Sequence, residues 1–329
     1  MGRDFVDEVL ESPASLKDMK HLIFFLLGSV APFAFALKYE SSMDVSQWVN
    51  DVSPFACRLE HYITGYGTGA FVHLAGEQRQ LSLDGQGIAF GGERVSVRAM
   101  PPKWKPGGRA AFLAELVPTE GEVRVGEAVA TDVASELLRG MMVTFEGALK
   151  ESGDQPVAVY LSTVGFRQAF DSFTACEDQL LPASFDQLER SRIQYPVGVI
   201  ELSDKAKELL HKIVQYLNVD ASVQQIFVDG HTDDTGLTKD NIVMSQQRAE
   251  RVRDYLLNLG VSPEMLVVRY HAEKYPVVPN TSAQPRAKSR RTTIRLSREF
   301  EPQPEPEKSS EPAESAVASA TPESKKSDS

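Results

Sequence analysis

The sequence contains few cysteines and few histidines, and this scarcity excludes several classes of protein. Its 329 residues include two cysteines and six histidines. Two cysteines are too few for a cysteine-based zinc finger or for a small fold held together by many disulfides. None of the histidines stands in the HxH, HxxxH or HExxH spacing that zinc enzymes use. A zinc hydrolase is therefore not expected, and the sequence predicts neither a metal nor a cofactor.

Positive charge is also scarce in this chain. Lysine and arginine number 35 against 46 acidic residues, which gives a formal net charge of -11. A general nucleic-acid-binding protein needs clustered cations to displace counterions from phosphates, so this class is disfavoured, although a local basic site is compatible with the balance. Hydrophobic residues make up 42% of the chain, enough for real cores. The length predicts roughly two domains.

No apolar run near the N-terminus is long enough for a comfortable membrane span. The run at residues 22–27 follows Lys20-His21, is interrupted at Gly28 and precedes the small residues at 34–36. A basic start, a short apolar core and a small-x-small exit are typical of a secretory signal peptide, with cleavage expected near Ala36. A buried helix in a cytosolic protein is the alternative interpretation.

Residues 1–36 are thus interpreted as an N-terminal extension followed by this signal peptide. Translation is expected to start at Met19, which leaves residues 1–18 as an upstream extension. No cysteine follows the expected cleavage site, so a lipid anchor at that position is not predicted. We expect the mature protein to be exported.

Export changes the meaning of the two cysteines. In an oxidising compartment an even pair is expected to form a disulfide, here between Cys57 and Cys176. Such a bond closes a loop of about 120 residues and is worth roughly 4–5 kcal/mol on the chain-entropy model. Two buried free thiols are the alternative.

Residues 37–182 are predicted to be rich in β-structure. Apolar alternation and β-branched runs indicate strands at residues 70–74, 94–98, 121–125 and 157–161. Glycine-containing turns separate these runs, and helices are predicted at residues 132–139 and 166–181. We expect a barrel or a sandwich.

Residues 183–300 alternate between strand and helix patterns. Ser203 is the predicted N-cap of one helix, and a second helix extends from about Asn241 to Leu259, where Gly260 ends it. Strands are predicted at residues 225–228, 266–270 and 292–296. The pattern predicts a βαβαβ layered α/β domain, so the chain as a whole is α+β.

Residues 301–329 have a different composition. They hold five prolines, seven serines and seven acidic residues. Such a segment lacks the apolar residues of a core and is predicted to be disordered.

Chemistry is concentrated around Asp233, in a polar loop after a strand, and Arg248, on the helix that follows. A carboxylate and a guanidinium that are close but not spent on each other suit a zwitterionic ligand. Asp233 would bind its ammonium group and Arg248 its carboxylate, through two parallel hydrogen bonds. The helix N-terminus near Asn241 would add N–H donors for the same anion. Without further information, a structural salt bridge between Asp233 and Arg248 is an equally good interpretation.

The segment around Asp233 is one of several motifs spread over residues 185–298. They are Gly230-His231-Thr232-Asp233-Asp234-Thr235-Gly236, Asn241, Ser245-Gln246-Gln247-Arg248-Ala249, Pro276, Asn280 and Arg290-Arg291. Together they resemble the motifs of OmpA-like peptidoglycan-binding domains. The resemblance implies that Asp233 and Arg248 hold the ammonium and carboxylate groups of diaminopimelate in the cell-wall peptide. Thr235, Asn241 and Arg291 are further candidates for this site.

The sequence departs from the family pattern at two places. Arg269-Tyr270-His271 stands where the family usually has Gly-Tyr-Gly, and Ser289 stands where an asparagine usually precedes the two arginines. Both departures are expected to lie away from the Asp233–Arg248 pair. They bear on the shape of the pocket and on its affinity more than on the class of ligand.

Motifs in residues 37–182 carry a second resemblance. They are Ser46-Gln47-Trp48, Phe55-Ala56-Cys57-Arg58-Leu59, Met100-Pro101-Pro102-Lys103-Trp104-Lys105-Pro106-Gly107 and Phe173-Thr174-Ala175-Cys176. They resemble the MotY family of flagellar motor proteins, in which an exported β-rich domain with one disulfide precedes an OmpA-like domain. The resemblance implies a periplasmic structural component of the T ring. Its expected partners are peptidoglycan, the basal body, motor and stator proteins, and copies of itself or a T-ring partner.

Two other functions remain as alternatives. One is a generic OmpA-like protein that anchors peptidoglycan in the envelope without a flagellar role. The other is a wall hydrolase with Asp233 or Asp234 as general acid or base. Hydrolysis of that type needs paired carboxylates with separated pKa values, whereas a nearby Arg248 would keep Asp233 ionised, so we expect no enzyme.

Overall fold

The chain has two structural units. The apolar pattern before residue 182 is mainly that of strands, and the pattern after it alternates between strands and helices. A computed structural model describes residues 36–302 except 121 and 151–154, and it does not describe the side chains of residues 92 and 93. Of the described residues, those up to Pro182 form one unit and those from Ala183 onward form the other. The predicted signal peptide and start at Met19 lie outside the described residues, as does the predicted disordered tail beyond Pro302.

The first unit consists mainly of strands, as the alternation predicts. They are β1 Leu37–Tyr39, β2 Trp48–Val52, β3 Ala56–Ile63, β4 Gly67–Leu74, β5 Gln80–Gly85, β6 Phe90–Met100, β7 Ala111–Leu116, β8 Val123–Val125, β9 Met142–Leu149 and β10 Pro156–Leu161. Its described helices are α1 Glu127–Leu138 and α2 Phe166–Glu177. In this part of the chain the strands form two sheets, in the orders β1-β10-β9-β6-β7 and β2-β3-β4-β5-β8.

The two sheets share one hydrophobic core. Alternate residues of β3 are buried, among them Leu59 and Ile63, and they join a cluster that includes Phe145 of β9. Helix α2 adds phenylalanines spaced three and four residues apart, at 166, 170 and 173. Two separate sheets around a common core correspond to the sandwich among the predicted architectures.

Trp48 and His61 form a buried polar contact inside this core. Their rings stack at a centroid distance of 4.8 Å, and the Trp48 indole N–H donates to the Ser162 carbonyl at 2.8 Å. The Nδ1 atom of His61 lies 2.9 Å from the Gln47 carbonyl, while its Nε2 accepts from the Ser162 N–H. Burial lowers the pKa of His61, so the ring stays neutral and serves both partners.

The predicted disulfide is confirmed. Cys57 of β3 is bonded to Cys176 of α2, with their Cα atoms 6.0 Å apart. The next residue, Glu177, accepts two hydrogen bonds from Arg79, at 2.8 and 2.6 Å, and lies 2.8 Å from the His73 ring. The C-terminal end of α2 is therefore tied to the sheet by a covalent bond and by an ion-pair network.

The second unit has the predicted alternation of helices and strands. Its elements are α3 Phe185–Leu188, β11 Arg190–Gln194, α4 Asp204–Leu217, β12 Gln225–His231, α5 Thr238–Asn258, a short 3-10 helix Pro263–Met265, β13 Leu266–Tyr270, α6 Ala283–Ser289 and β14 Arg291–Ser297. The sheet order is β11-β14-β12-β13, with β12 and β13 parallel and β14 antiparallel to both of its neighbours. The α+β class is thus confirmed, and β11, α3 and α6 are additions to the predicted elements.

Helix α5 packs directly against β12, and Gly230 makes this approach possible. A Cβ atom at Gly230 would lie 2.0 Å from the Ser245 carbonyl oxygen of α5. Ala249 and Val252 of the same helix are fully buried. None of the helices in the described part of the chain has the length and apolar content that crossing a membrane requires.

Replacing both Cys57 and Cys176 by serine should destabilise the first unit. On the chain-entropy model the loss is about 4–5 kcal/mol, because the bond closes a loop between residues 119 apart in sequence. Urea unfolding of the mature protein and of the double variant measures this difference. Thiol titration of the unfolded, unreduced protein is the independent check, and two reactive thiols would contradict the bond.

Candidate functional site

Asp233 lies in the loop that follows β12, and its backbone is anchored there. The N–H of the preceding Thr232 donates to the Ala272 carbonyl at 2.8 Å. Asp233 is 7% exposed; its Oδ1 accepts the Thr235 N–H at 3.0 Å and its Oδ2 accepts from the Arg290 guanidinium at 2.7 Å. Arg290 immediately precedes β14, so the pair joins the loops at the ends of two adjacent strands.

This environment keeps the Asp233 carboxylate ionised. Burial alone would raise its pKa, but the hydrogen bonds from Arg290 and Thr235 outweigh burial and lower the pKa below the ordinary value. A carboxylate that stays negative is a suitable partner for an ammonium group.

Arg248 is buried in the structure, although it is a charged residue of helix α5. Its side chain is 1% exposed and its guanidinium lies 4.7 Å from the centre of the Tyr195 ring. It donates to three main-chain carbonyls, those of Val199 at 3.0 Å, His231 at 3.2 Å and Pro196 at 3.4 Å. A guanidinium has five N–H groups, so each terminal nitrogen keeps one that these bonds do not use.

Asp233 and Arg248 interact without forming an ion pair. Within the described residues the ion-pair partner of Asp233 is Arg290, so the structural salt bridge between Asp233 and Arg248 is not observed. Burial lowers the pKa of Arg248, and the negative charge of Asp233 partly opposes this effect. The two groups are therefore close enough for electrostatic coupling, and neither is spent on the other.

The remaining candidates occupy different surroundings. Thr235 contacts Asp233 through its N–H, as described above. The N–H of Asn241 is not free: α5 begins at Thr238, earlier than predicted, and this N–H donates to the Leu237 carbonyl at 3.0 Å. Arg291 is 8% exposed and donates to the carbonyls of Ser289 and Tyr275. The structure thus brings Thr235 to Asp233, whereas Arg291 is bonded elsewhere.

The departure at Ser289 directly precedes a residue that contacts Asp233. Ser289 is fully buried and its hydroxyl donates to Asn280 at 2.8 Å. It directly precedes Arg290, the ion-pair partner of Asp233. This departure is therefore connected to the acid through the residue that follows it at the end of α6.

The departure at residues 269–271 creates a separate polar cluster. Arg269 donates to both carboxylate oxygens of Asp229, at 2.6 and 3.0 Å, and His271 lies 3.1 Å from the same group. These contacts more than offset burial and lower the pKa of Asp229 to about 2. His231 stacks on His271 at 4.9 Å, and burial, with Arg291 and His271 nearby, lowers the pKa of His231 to about 4.

Arg290 and Tyr195 are the site residues that the sequence analysis did not select. Arg290 stood in the Arg290-Arg291 motif, but Arg291 was chosen from it. The strand pattern contained a usable signal, since Thr292, Ile294 and Leu296 alternate as buried positions and place Arg291 within β14. Arg290 lies just outside this strand, so its side chain need not point to one of the two faces of the sheet. Nothing in the pattern around Tyr195 marked it as a neighbour of Arg248.

Comparison with protein families assigns both units. The model of the OmpA family matches residues 194–290, which contain Asp233, Arg248 and Arg290. The second unit is therefore an OmpA-family domain. The model of the MotY N-terminal domain matches residues 39–182. The chain thus consists of a MotY N-terminal domain followed by an OmpA-family domain.

Curated relatives show the same division. Over 265 residues the chain is 29% identical to the sodium-type flagellar protein MotY of Vibrio parahaemolyticus, and the match covers 79% of this chain and 90% of that protein. It is 30% identical over 102 residues to the peptidoglycan-associated lipoprotein of Buchnera aphidicola, covering 31% of this chain and 58% of the relative. The first match spans both units, whereas the second spans only part of either protein.

Solved structures similar to this chain cover about one third of it. The peptidoglycan-associated lipoprotein from Burkholderia pseudomallei is 25% identical, with a TM-score of 0.31 and coverage of 32% of this chain and 89% of that one. The C-terminal domain of Helicobacter pylori MotB is 27% identical, with a TM-score of 0.30 and coverage of 32% and 84%.

Replacing Arg290 by glutamine should raise the pKa of Asp233 toward its ordinary value of 3.8. Because that pKa is lower in the folded protein than in the unfolded chain, the ion pair contributes stability above about pH 3.8 and loses it as the pH falls through the folded-state value. NMR titration of the Asp233 carboxyl carbon measures the shift. Arg286→Gln is the control, since Arg286 pairs with the exposed Asp234 at 2.9 Å. An unchanged Asp233 titration in Arg290→Gln would contradict this role.

Proposed function

We propose that this chain is a periplasmic structural component of the flagellar motor that binds peptidoglycan through its OmpA-family domain. The observation that supports this most strongly is the order of the two domains in one chain, a MotY N-terminal domain and then an OmpA-family domain. The similarity to a flagellar MotY protein extends over 90% of that relative. We place the protein in the T ring, where it links the basal body to the cell wall and supports stator assembly.

The Asp233 site supplies the chemistry for this role. The ammonium group of diaminopimelate would bind the ionised Asp233 carboxylate, whose two oxygens offer about four acceptor positions. Thr235 and Arg290 occupy one position each. The ligand carboxylate would take the free N–H groups of Arg248 in a bidentate arrangement. In this way a zwitterion meets one negative and one positive group at its two charged ends.

Access to Arg248 depends on the segment that covers it. Pro196 and Val199 accept two of its hydrogen bonds, and the intervening Val197 is 76% exposed. A ligand carboxylate would have to reach the unused N–H groups of Arg248 past this segment. The segment also contains Gly198, whose φ of +71° is one that only glycine accepts readily.

The N-terminal domain provides surface for a protein partner. Trp104, in a proline-flanked loop, is 51% exposed, and Phe112 of β7 is 60% exposed. Exposed aromatic side chains are common anchors at protein interfaces. We assign the contact with the basal body, and with further copies or a T-ring partner, to this domain.

A binding role fits the Asp233 geometry better than hydrolysis. A general acid must hold a proton near neutral pH, whereas Arg290 and Thr235 lower the pKa of Asp233. The neighbouring Asp234 is exposed and pairs with Arg286. We therefore propose no catalytic activity.

Asp233→Asn should weaken binding to purified peptidoglycan by roughly ten- to a hundredfold, because charge-assisted hydrogen bonds are worth about 1.5–3 kcal/mol. Co-sedimentation of the mature protein with peptidoglycan measures the loss. Asp234→Asn is the matched control and should bind normally. Arg248→Lys completes the set and should also weaken binding, since it keeps the charge and removes the planar fork, whereas Arg248→Ala would remove the buried charge as well. Normal wall binding by a folded Asp233→Asn protein would exclude the site.

Deletion of the gene should leave cells that are flagellated but non-motile, because the proposed role is in torque generation. Complementation with residues 1–182, which retain the predicted signal peptide, should bring the protein to basal bodies without restoring normal swimming. Complementation with the full chain is the control and should restore motility. A motile deletion strain with envelope defects would instead identify a generic peptidoglycan anchor.

A further inference from the structure

The sheet of the OmpA-family domain has two faces of different character. In β12, Val228 and Gly230 face α5, as the close approach of Gly230 to the Ser245 carbonyl shows. Because side chains alternate along a strand, Phe227, Asp229 and His231 point to the opposite face. The same register places Thr293 and Arg295 of β14 on that opposite face.

This opposite face is crowded with arginines. Strand β11 alternates between exposed and buried residues, with Arg190 and Arg192 exposed. Arg190 lies directly across from Arg295, and Asp229 lies directly across from Arg269. We call this surface the arginine face, and its arginines are Arg190, Arg192, Arg269, Arg291 and Arg295.

The positive charge of the arginine face is only partly balanced. Asp229 neutralises Arg269 through two hydrogen bonds, and Arg291 donates only to carbonyls. Arg190 and Arg192 form no ion pair with any residue that the structure describes. Burial and the charge of nearby Arg192 both lower the pKa of Arg291, which reflects repulsion between like charges on this face.

The chain after β14 carries a further acidic residue, Glu301, onto this face. After β14, Glu301 accepts hydrogen bonds from both terminal nitrogens of Arg295, at 2.5 and 2.8 Å. Its backbone N–H donates to the Gln225 side chain at 2.7 Å, which holds the chain at the start of β12. The charge of Arg269 also contributes to lowering the pKa of Glu301, after the larger effect of Arg295.

The residues that follow are matched to this surface in charge and in reach. Residues 301–307 read Glu-Pro-Gln-Pro-Glu-Pro-Glu, with three acidic residues and no basic one. An extended proline-rich chain advances about 3.1 Å per residue, so Glu305 can reach roughly 12 Å from Glu301. Neighbouring strands are only about 4.8 Å apart, and β11 is the immediate neighbour of β14. Arg190 and Arg192 are therefore within reach.

We propose that residues 303–307 bind across the arginine face, with Glu305 and Glu307 paired with Arg190 and Arg192. The segment is attached through Glu301, which is already bound there, so its effective concentration at the face is far higher than that of a free peptide. An acidic segment of another protein would have to compete with it. The domain therefore carries its own ligand for a basic surface in an otherwise acidic chain.

Cleavage by a lysine-specific protease after Lys308 tests this proposal on the mature full-length protein. A protease needs several extended residues on both sides of the bond, so a bound 303–307 segment should slow cleavage. A peptide of residues 299–312 in the same tube reports the intrinsic rate. Two exposed ion pairs are worth about 0.2–1 kcal/mol each, so protection in low salt should be roughly twofold to thirtyfold and should vanish in high salt.

Arg190→Gln/Arg192→Gln should remove the protection, whereas Arg251→Gln/Arg253→Gln, which removes the same charge from the outer side of α5, should keep it. A charge swap, Arg190→Glu/Arg192→Glu with Glu305→Arg/Glu307→Arg, should restore slow cleavage relative to a peptide of the same sequence. Equal rates for the protein and the peptide in low salt would overturn the proposal. Protection that disappears on dilution would also overturn it, because it would assign the face to the tail of a second copy.

Discussion

The buried guanidinium of Arg248 is the interaction on which the geometry around Asp233 depends. It ties the end of β12, through the His231 carbonyl, to the segment after β11, through Pro196 and Val199. A buried charge is tolerated only when its hydrogen-bond donors have acceptors. The side chain of Arg248 is 1% exposed, and main-chain carbonyls accept its hydrogen bonds without neutralising its charge. Helix α5 thereby presents a positive group beside a loop whose acid is bound to another arginine.

This division of partners separates the two charges of the site. A pair between Arg248 and Asp233 would neutralise the Arg248 guanidinium, whereas the main-chain carbonyls leave its charge in place. Arg290 takes the structural part of the interaction by fixing the carboxylate at 2.7 Å, and the carbonyls fix Arg248. The consequence is that the orientation of each group is set by a neighbour other than its counterpart.

Much of the fold could be predicted because local periodicity follows burial. The strands β4, β6, β10, β12, β13 and β14 and the helices α4 and α5 were predicted from apolar spacing, and the Cys57–Cys176 bond from an even count in an exported chain. The short strand β11 was not predicted, because Ile193 is its only large apolar residue beside Arg190, Ser191, Arg192 and Gln194. Its pairing with β14 stabilises it, and that contact is distant in sequence.

The site was less predictable than the fold for a different reason. The residues Asp233 and Arg248 were identified by motif and resemblance, but their partners were not. A hydrogen bond from a side chain to a main-chain carbonyl leaves no trace in residue type, so the carbonyls of Pro196, Val199 and His231 could not be foreseen as acceptors for Arg248. Arg290 was visible in the sequence, but the position at which β14 begins determines which of the two adjacent arginines turns toward Asp233.

The placement of arginines on the two faces of the sheet matters because the chain has a net charge of -11. Arginines concentrated on one domain attract the acidic residues of the same chain, and an antiparallel pair such as Arg190 opposite Arg295 is unfavourable unless an anion lies between them. Glu301 provides that anion for Arg295. The cationic group in the Asp233 site is, by contrast, on the α5 side of the sheet, where the guanidinium of Arg248 is buried among carbonyls. The sheet therefore separates two basic regions, the arginine face on one side and the buried guanidinium of Arg248 on the other.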